Sequence, residues 1–90
     1  MSIAAGIQEA AATIAVRGMV EYEKSKGISV DRGRFTAAIN AILPDAIRRG
    51  LADAKEAMDA RMFQIAEATF AATIFQAGIE AAKTASVVRS

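Results

Sequence analysis

A helical period runs through nearly the whole of this 90-residue chain, and its one proline, Pro44, is the strongest interruption of it. Apolar side chains return at steps of three and four, the spacing that lays them along one side of an α-helix. No run alternates at period two over the length of a strand. The fold class that follows is all-α.

The first helix is expected over 2–26. Ile3, Ile7, Ala10, Ala11 and Ile14 form its apolar stripe, continued by Gly18 and Tyr22. Lys24 and Lys26 stand where the helix dipole favours cations. Gly27 supplies a left-handed stop, with Ile28 as the apolar residue after it. The next start is close by: Asp31 is a capping residue, and Val30 and Phe35 are placed as a hydrophobic staple around it. A turn as short as 27–31 makes antiparallel neighbours of the helices it joins.

From Phe35 the stripe passes through Ile39, Ile42, Leu43, Ile47, Leu51, Met58, Met62 and Ile65 almost in phase. Pro44 lacks the amide that would bond to the Asn40 carbonyl, so a helix over 32–43 is expected to meet a kink at 44. Gly50, after Arg48 and Arg49, reads as a second weak point, but the phase of the stripe argues for continuation. A long helix over 45–85 and a frayed tail over 86–90 complete the chain. The architecture expected is one domain over 1–90, an antiparallel helical hairpin whose long second helix is kinked near Pro44.

Composition says how such a hairpin would pack. Apolar residues make up 53% of the chain and aromatics only 6%, the excess over the usual apolar share of about 45–50% being alanine. Alanine favours helix and lets helices approach closely, but supplies little large-residue core. A domain this small buries only about 60–65% of the surface its unfolded chain exposes. Between Met62 and Ile79 the large side chains also spread right round the axis. Met62 and Ile65 fall on one side, Phe63, Phe70 and Ile74 on another, Phe75 and Ile79 on a third. A single hairpin partner cannot cover all of them, so assembly into an oligomeric helical bundle is expected, with Phe63, Phe70, Ile74, Phe75 and Ile79 as its interface. Met58 and Met62 read as core filler.

The chain has neither histidine nor cysteine. It therefore lacks the usual general base, the commonest zinc ligand and any thiolate nucleophile. No glycine-rich phosphate loop follows a strand, and no nucleophile elbow is present. No enzyme activity, cofactor or metal is expected. Asp53, Glu56 and Asp59 share a helix face at three-residue spacing, but Arg49, Lys55 and Arg61 interleave with them as in a solvated, salt-bridged face. Glu67 and Gln64 are expected at the rim of the apolar segment.

A net charge of +1 creates no field for DNA, RNA or an anionic membrane. Asp45, Asp53, Glu56 and Asp59 oppose a helix-turn-helix reading of 35–58, because they would repel phosphates. The longest charge-free stretch, 68–79, falls well short of the roughly 20 apolar residues that span a bilayer. The first basic residue is Arg17, so no secretion signal is expected. Cysteine-free composition suits a reducing compartment, and the cytoplasm is the expected location.

Two groups of residues carry what functional signal there is. The apolar long helix points to contact with itself and with another protein. Tyr22, Lys26, Arg32 and Arg34 near the turn, with Arg48 and Arg49 beyond the proline, combine an aromatic plane with guanidinium groups that suit a nucleotide-like anion. Glu21, Glu23 and Asp31 dilute that charge. The function expected is that of a small non-enzymatic, homo-oligomeric binding protein. It would serve as an adaptor or stoichiometric inhibitor sequestering a partner, a class that includes proteins encoded by phages and mobile elements. The alternatives are an oligomer holding a nucleotide or other phosphorylated small molecule at subunit boundaries, and a structural subunit of a shell or filament.

Overall fold

The computed structural model describes residues 3–86, and side chains from Gly6 to Ser86. Three helices follow in order: α1 (Ile3–Lys26), α2 (Arg32–Asp59) and α3 (Phe63–Ser86), with no strand among the described residues. The expected frayed tail over 86–90 lies outside the described residues, except for Ser86, which closes α3.

The first connection follows local chemistry. Gly27 adopts φ 65°, and the Gly27 and Ile28 amides both donate to the Glu23 carbonyl at 2.8 and 3.2 Å, which closes the last turn of α1. Asp31 caps α2, its carboxylate accepting from the Arg34 amide at 2.8 Å. Val30 and Phe35, on either side of the cap, are both buried in the core.

The second helix expected to continue past Pro44 does so: Pro44 lies inside α2, which runs unbroken from Arg32 to Asp59. Phe35, Ile39, Leu43, Ala46 and Gly50 keep one phase on both sides of the proline and are all buried. Tertiary packing of that stripe outweighs the local loss of an amide.

The helix expected over 45–85 is instead broken at 60–62. Arg61 there takes φ 62°, the one left-handed non-glycine residue among those described. The Met62 amide donates to the Ala57 carbonyl at 2.8 Å and the Arg61 amide to Met58 at 2.9 Å. This is the capping pattern that a glycine normally provides, and an arginine hides it from any reading of turn residues.

The break gives α3 two partners. It packs against both α1 and α2, whereas α1 and α2 touch each other far less. Ile74, fully buried, lies at the centre of the core. Where α1 meets α3, Ala15 and Gly18 face Phe75, Gly78 and Ile79 backbone to backbone, so closely that neither glycine has room for a Cβ. This approach decides which face of α1 is inside. Ala11, Ala15, Gly18 and Met19 are buried, Ile7, Ile14 and Tyr22 are only half-buried, and Ala10 is exposed. The small residues displace the isoleucine stripe from the centre because only they permit backbones this close.

Gly50 performs a related task on α2. It is no helix end; the Phe70 ring lies over it, 2.8 Å from where a Cβ would stand. The molecule measures 47 × 28 × 17 Å, with a radius of gyration of 13.9 Å, above the roughly 12 Å of a compact domain of this length.

Candidate functional site

Packing sorts the apolar residues of α3 into those used inside the chain and those left outside. Ile74 is inaccessible, and Phe70, Phe75 and Ile79 are half-buried against Gly50 and Gly18. Of the five expected interface residues only Phe63 is open to solvent, at 57% exposure. Ile74 is thereby removed from any interface with a second molecule. The physical reason is the break at 60–62: α3 has helices on two sides, and the chain itself covers much of what one hairpin partner would have left bare.

Val16 and Ile28 are exposed on or just after α1, but most of what stays bare is elsewhere. Leu51 and Met58 of α2, Met62 of the connection, and Phe63 and Ile65 of α3 are 44–57% exposed. They belong to the α2–α3 connection and the turns beside it. The close approaches of α1 fall instead on Phe75–Ile79, in the second half of α3. Met62, Phe63 and Ile65 border one groove, and with Met58 just before the connection they form an apolar tip, Leu51 standing about 10 Å further back along α2. Met58 and Met62 are thus surface residues, contrary to their reading as core filler.

Two shallow grooves open at this tip. One, about 360 Å³, is bordered by Arg61, Met62, Phe63, Gln64 and Ile65. The other, about 350 Å³, runs between α2 and α3 along Asp53, Glu56, Ala57, Ala60, Met62 and Thr69. Met62 belongs to both. Lys55 pairs with Asp59 at 3.0 Å, while Asp53, Glu56 and Glu67 are exposed, with no cation within 4 Å among the described residues.

The residues singled out for an anion are not brought together. Arg32 donates to the Glu23 carboxylate at 2.9 Å and approaches the Met19 sulfur at 3.1 Å. Tyr22 is half-buried against the core, Lys26 and Arg34 are exposed, and the Arg34 amide is taken by the Asp31 cap. Arg48 and Arg49 lie some 14 residues further along α2, about 21 Å at the helical rise, and both pair with Asp45 at 3.3 and 3.4 Å. Each cationic pair near a carboxylate is already partly neutralised, and no common cradle exists.

Glu23 is the residue the sequence reading undervalued. It appears there only as a negative charge diluting a basic turn. Its carboxylate accepts from the Val30 amide at 2.7 Å and from Arg32 at 2.9 Å, tying α1 to the start of α2. Those two donors, the backbone amide first, hold its carboxyl below its ordinary pKa. A contact seven and nine residues away across a turn has no periodic signature.

Among the described residues no group of three or more His, Cys, Asp or Glu side chains is placed to hold a metal ion, and no helix is long and apolar enough to cross a membrane. No protein-family model, curated protein or solved structure matches the chain.

Proposed function

We propose that this chain is a small non-enzymatic binding protein, an adaptor or stoichiometric inhibitor, that acts through the apolar tip of α2 and α3. The observation that carries the reading is the grouping of Leu51, Met58, Met62, Phe63 and Ile65, all about half exposed, around one helix connection. Large apolar side chains scattered singly over a surface mean little, but a contiguous group is a contact surface awaiting cover. Two methionines add side chains flexible enough to fit more than one partner shape.

Homo-oligomerisation through the same tip is the second form of this proposal. It would give the bundle in which the α2–α3 hairpin of one copy packs on that of another, with Phe63 as the remaining member of the expected interface. Its obstacle is electrostatic: a two-fold contact sets each residue against its own counterpart or near neighbours, which brings Asp53, Glu56 and Glu67 of two copies into one region. The nucleotide reading draws no comparable support, since the six cationic and aromatic residues do not converge.

The test is site-specific photo-crosslinking in cells that make the protein, with the probe at Phe63 and a control probe at exposed Gln8. A discrete adduct from position 63 that is missing from position 8 is expected. Equal, diffuse labelling from both positions would overturn the proposal.

A further inference from the structure

We propose that the occupant of the tip is a basic amphipathic helix of another protein, its apolar side chains on Met62 and Ile65 and its lysines or arginines at Asp53 and Glu56. The inference rests on the tip being a contact surface and adds the chemistry of what covers it.

Charge complementarity is the argument. Between Leu51 and Glu67 the chain carries four carboxylates, Asp53, Glu56, Asp59 and Glu67, and only two cations, Lys55 and Arg61, although the whole molecule is at +1. The apolar tip is therefore the acidic end of an otherwise basic protein. One of its cations, Lys55, is already engaged with Asp59. Asp53 and Glu56 stand three residues apart, hence on one face of α2, and both border the groove to which Ala57, Ala60 and Met62 contribute the apolar side. A carboxylate rim beside an apolar strip matches a long cationic side chain, whose methylene stem seeks apolar surface while its head stays near water and counter-charge. Neutral apolar segments would leave the rim unanswered, and acidic ones would be repelled. A helix presents both kinds of side chain at the required three- and four-residue spacing, with exposed methionines as an adaptable seat.

A second copy of this chain is the rival occupant. Most of its exposed large apolar residues lie in the same acidic tip, Val16 and Ile28 being elsewhere, so tip-to-tip contact sets carboxylate against carboxylate.

The experiment uses two fluorescent helical peptides of the same leucine pattern, one carrying lysine and the other glutamate at the polar positions, titrated against the full chain at low and at high salt. Binding is read by anisotropy and the state of the protein by light scattering. The lysine peptide should bind at least about tenfold more tightly than the glutamate peptide, and lose affinity as salt screens the rim. Met62→Gln and the pair Asp53→Asn/Glu56→Gln should each weaken it severalfold, whereas Glu9→Gln, an exposed carboxylate on α1, should not. All these side chains are solvent-exposed, and circular dichroism will show that the variants keep their helix content.

If both peptides bind alike and only Met62→Gln matters, the tip is a contact surface without preference for cations and this inference fails alone. If neither set of variants affects binding, the contact-surface reading fails with it. A dimer that Met62→Gln dissolves, together with no peptide binding, would identify a second copy as the occupant and overturn the inference.

Discussion

Gly78 of α3 sits directly against the backbone of Ala15 in α1, where a Cβ on the glycine would run into the Ala15 carbonyl. Backbone cannot rotate aside as a side chain can, so Gly78→Ala must push the helices apart. Overpacking of this kind costs about 1–3 kcal/mol, which outweighs the roughly 1 kcal/mol that alanine gains over glycine in helix propensity. Gly6, also helical, has nothing within 4 Å of its Cβ position, and Gly6→Ala should stabilise. Opposite shifts of the two midpoints in urea unfolding are the expected outcome.

At Arg61 the reverse substitution should help. Its φ of 62° is a glycine conformation held by an arginine, and Arg61→Gly relieves that strain at the expense of a more flexible unfolded chain. A net gain of about 0.5–1 kcal/mol is expected from thermal unfolding, with helix content unchanged.

Pro44 lies within α2 and is itself exposed. Proline in a helix interior is about 3 kcal/mol worse than alanine, and part of that is recoverable by Pro44→Ala. We expect a higher unfolding midpoint and stronger protection of amides around Asn40 in hydrogen exchange. The proline is also expected to bend α2, and nuclear magnetic resonance orientation restraints on the two halves of the helix will measure the angle.

Phe70 and Phe63 are both aromatic residues of α3, yet they should respond oppositely to Asp. The half-buried Phe70 ring packs over Gly50 against the core, and losing it costs a good part of the roughly 3–5 kcal/mol of a fully buried phenylalanine. Phe70→Asp should therefore lower the thermal midpoint strongly. Phe63→Asp changes an exposed side chain and should leave the circular dichroism spectrum and the thermal midpoint nearly unchanged while weakening the adduct formed by a probe at the neighbouring exposed Ile65.

The Glu23 carboxyl titrates below its ordinary value of 4.5 because the Val30 amide and Arg32 favour its charged form. A depressed carboxyl pKa stabilises the fold above the unfolded-state value, and that contribution disappears as pH falls through the folded-state value. Glu23→Gln should be less stable than the parent at neutral pH, by a constant margin down to about pH 5, with the gap closing in more acid solution. Paired urea titrations across that range will show whether the two curves converge.

Much of this architecture is written in short-range chemistry. The end of α1 at Gly27 and the start of α2 after Asp31 follow from which residues tolerate a left-handed backbone and which can accept an amide hydrogen, properties that depend on a few neighbours. Helical periodicity and the lack of alternation likewise settle the class, and the exclusion of histidine and cysteine chemistry needs no structure. The break at 60–62 is different. Arg61 has no local preference for the conformation it adopts; the conformation is held by the return of α3 along α2, with Phe70 seated on Gly50. Which apolar residues face inward depends on the same return. Ala15 and Gly18 are central to the core, rather than Ile7 and Ile14, because α3 approaches too closely for larger side chains. Met58, Met62 and Phe63 are outside because the helix that might have covered them packs further along. Apolar character is a property of each residue, but burial is a property of the pair of surfaces that meet, and that pairing exists only once the chain has folded back on itself.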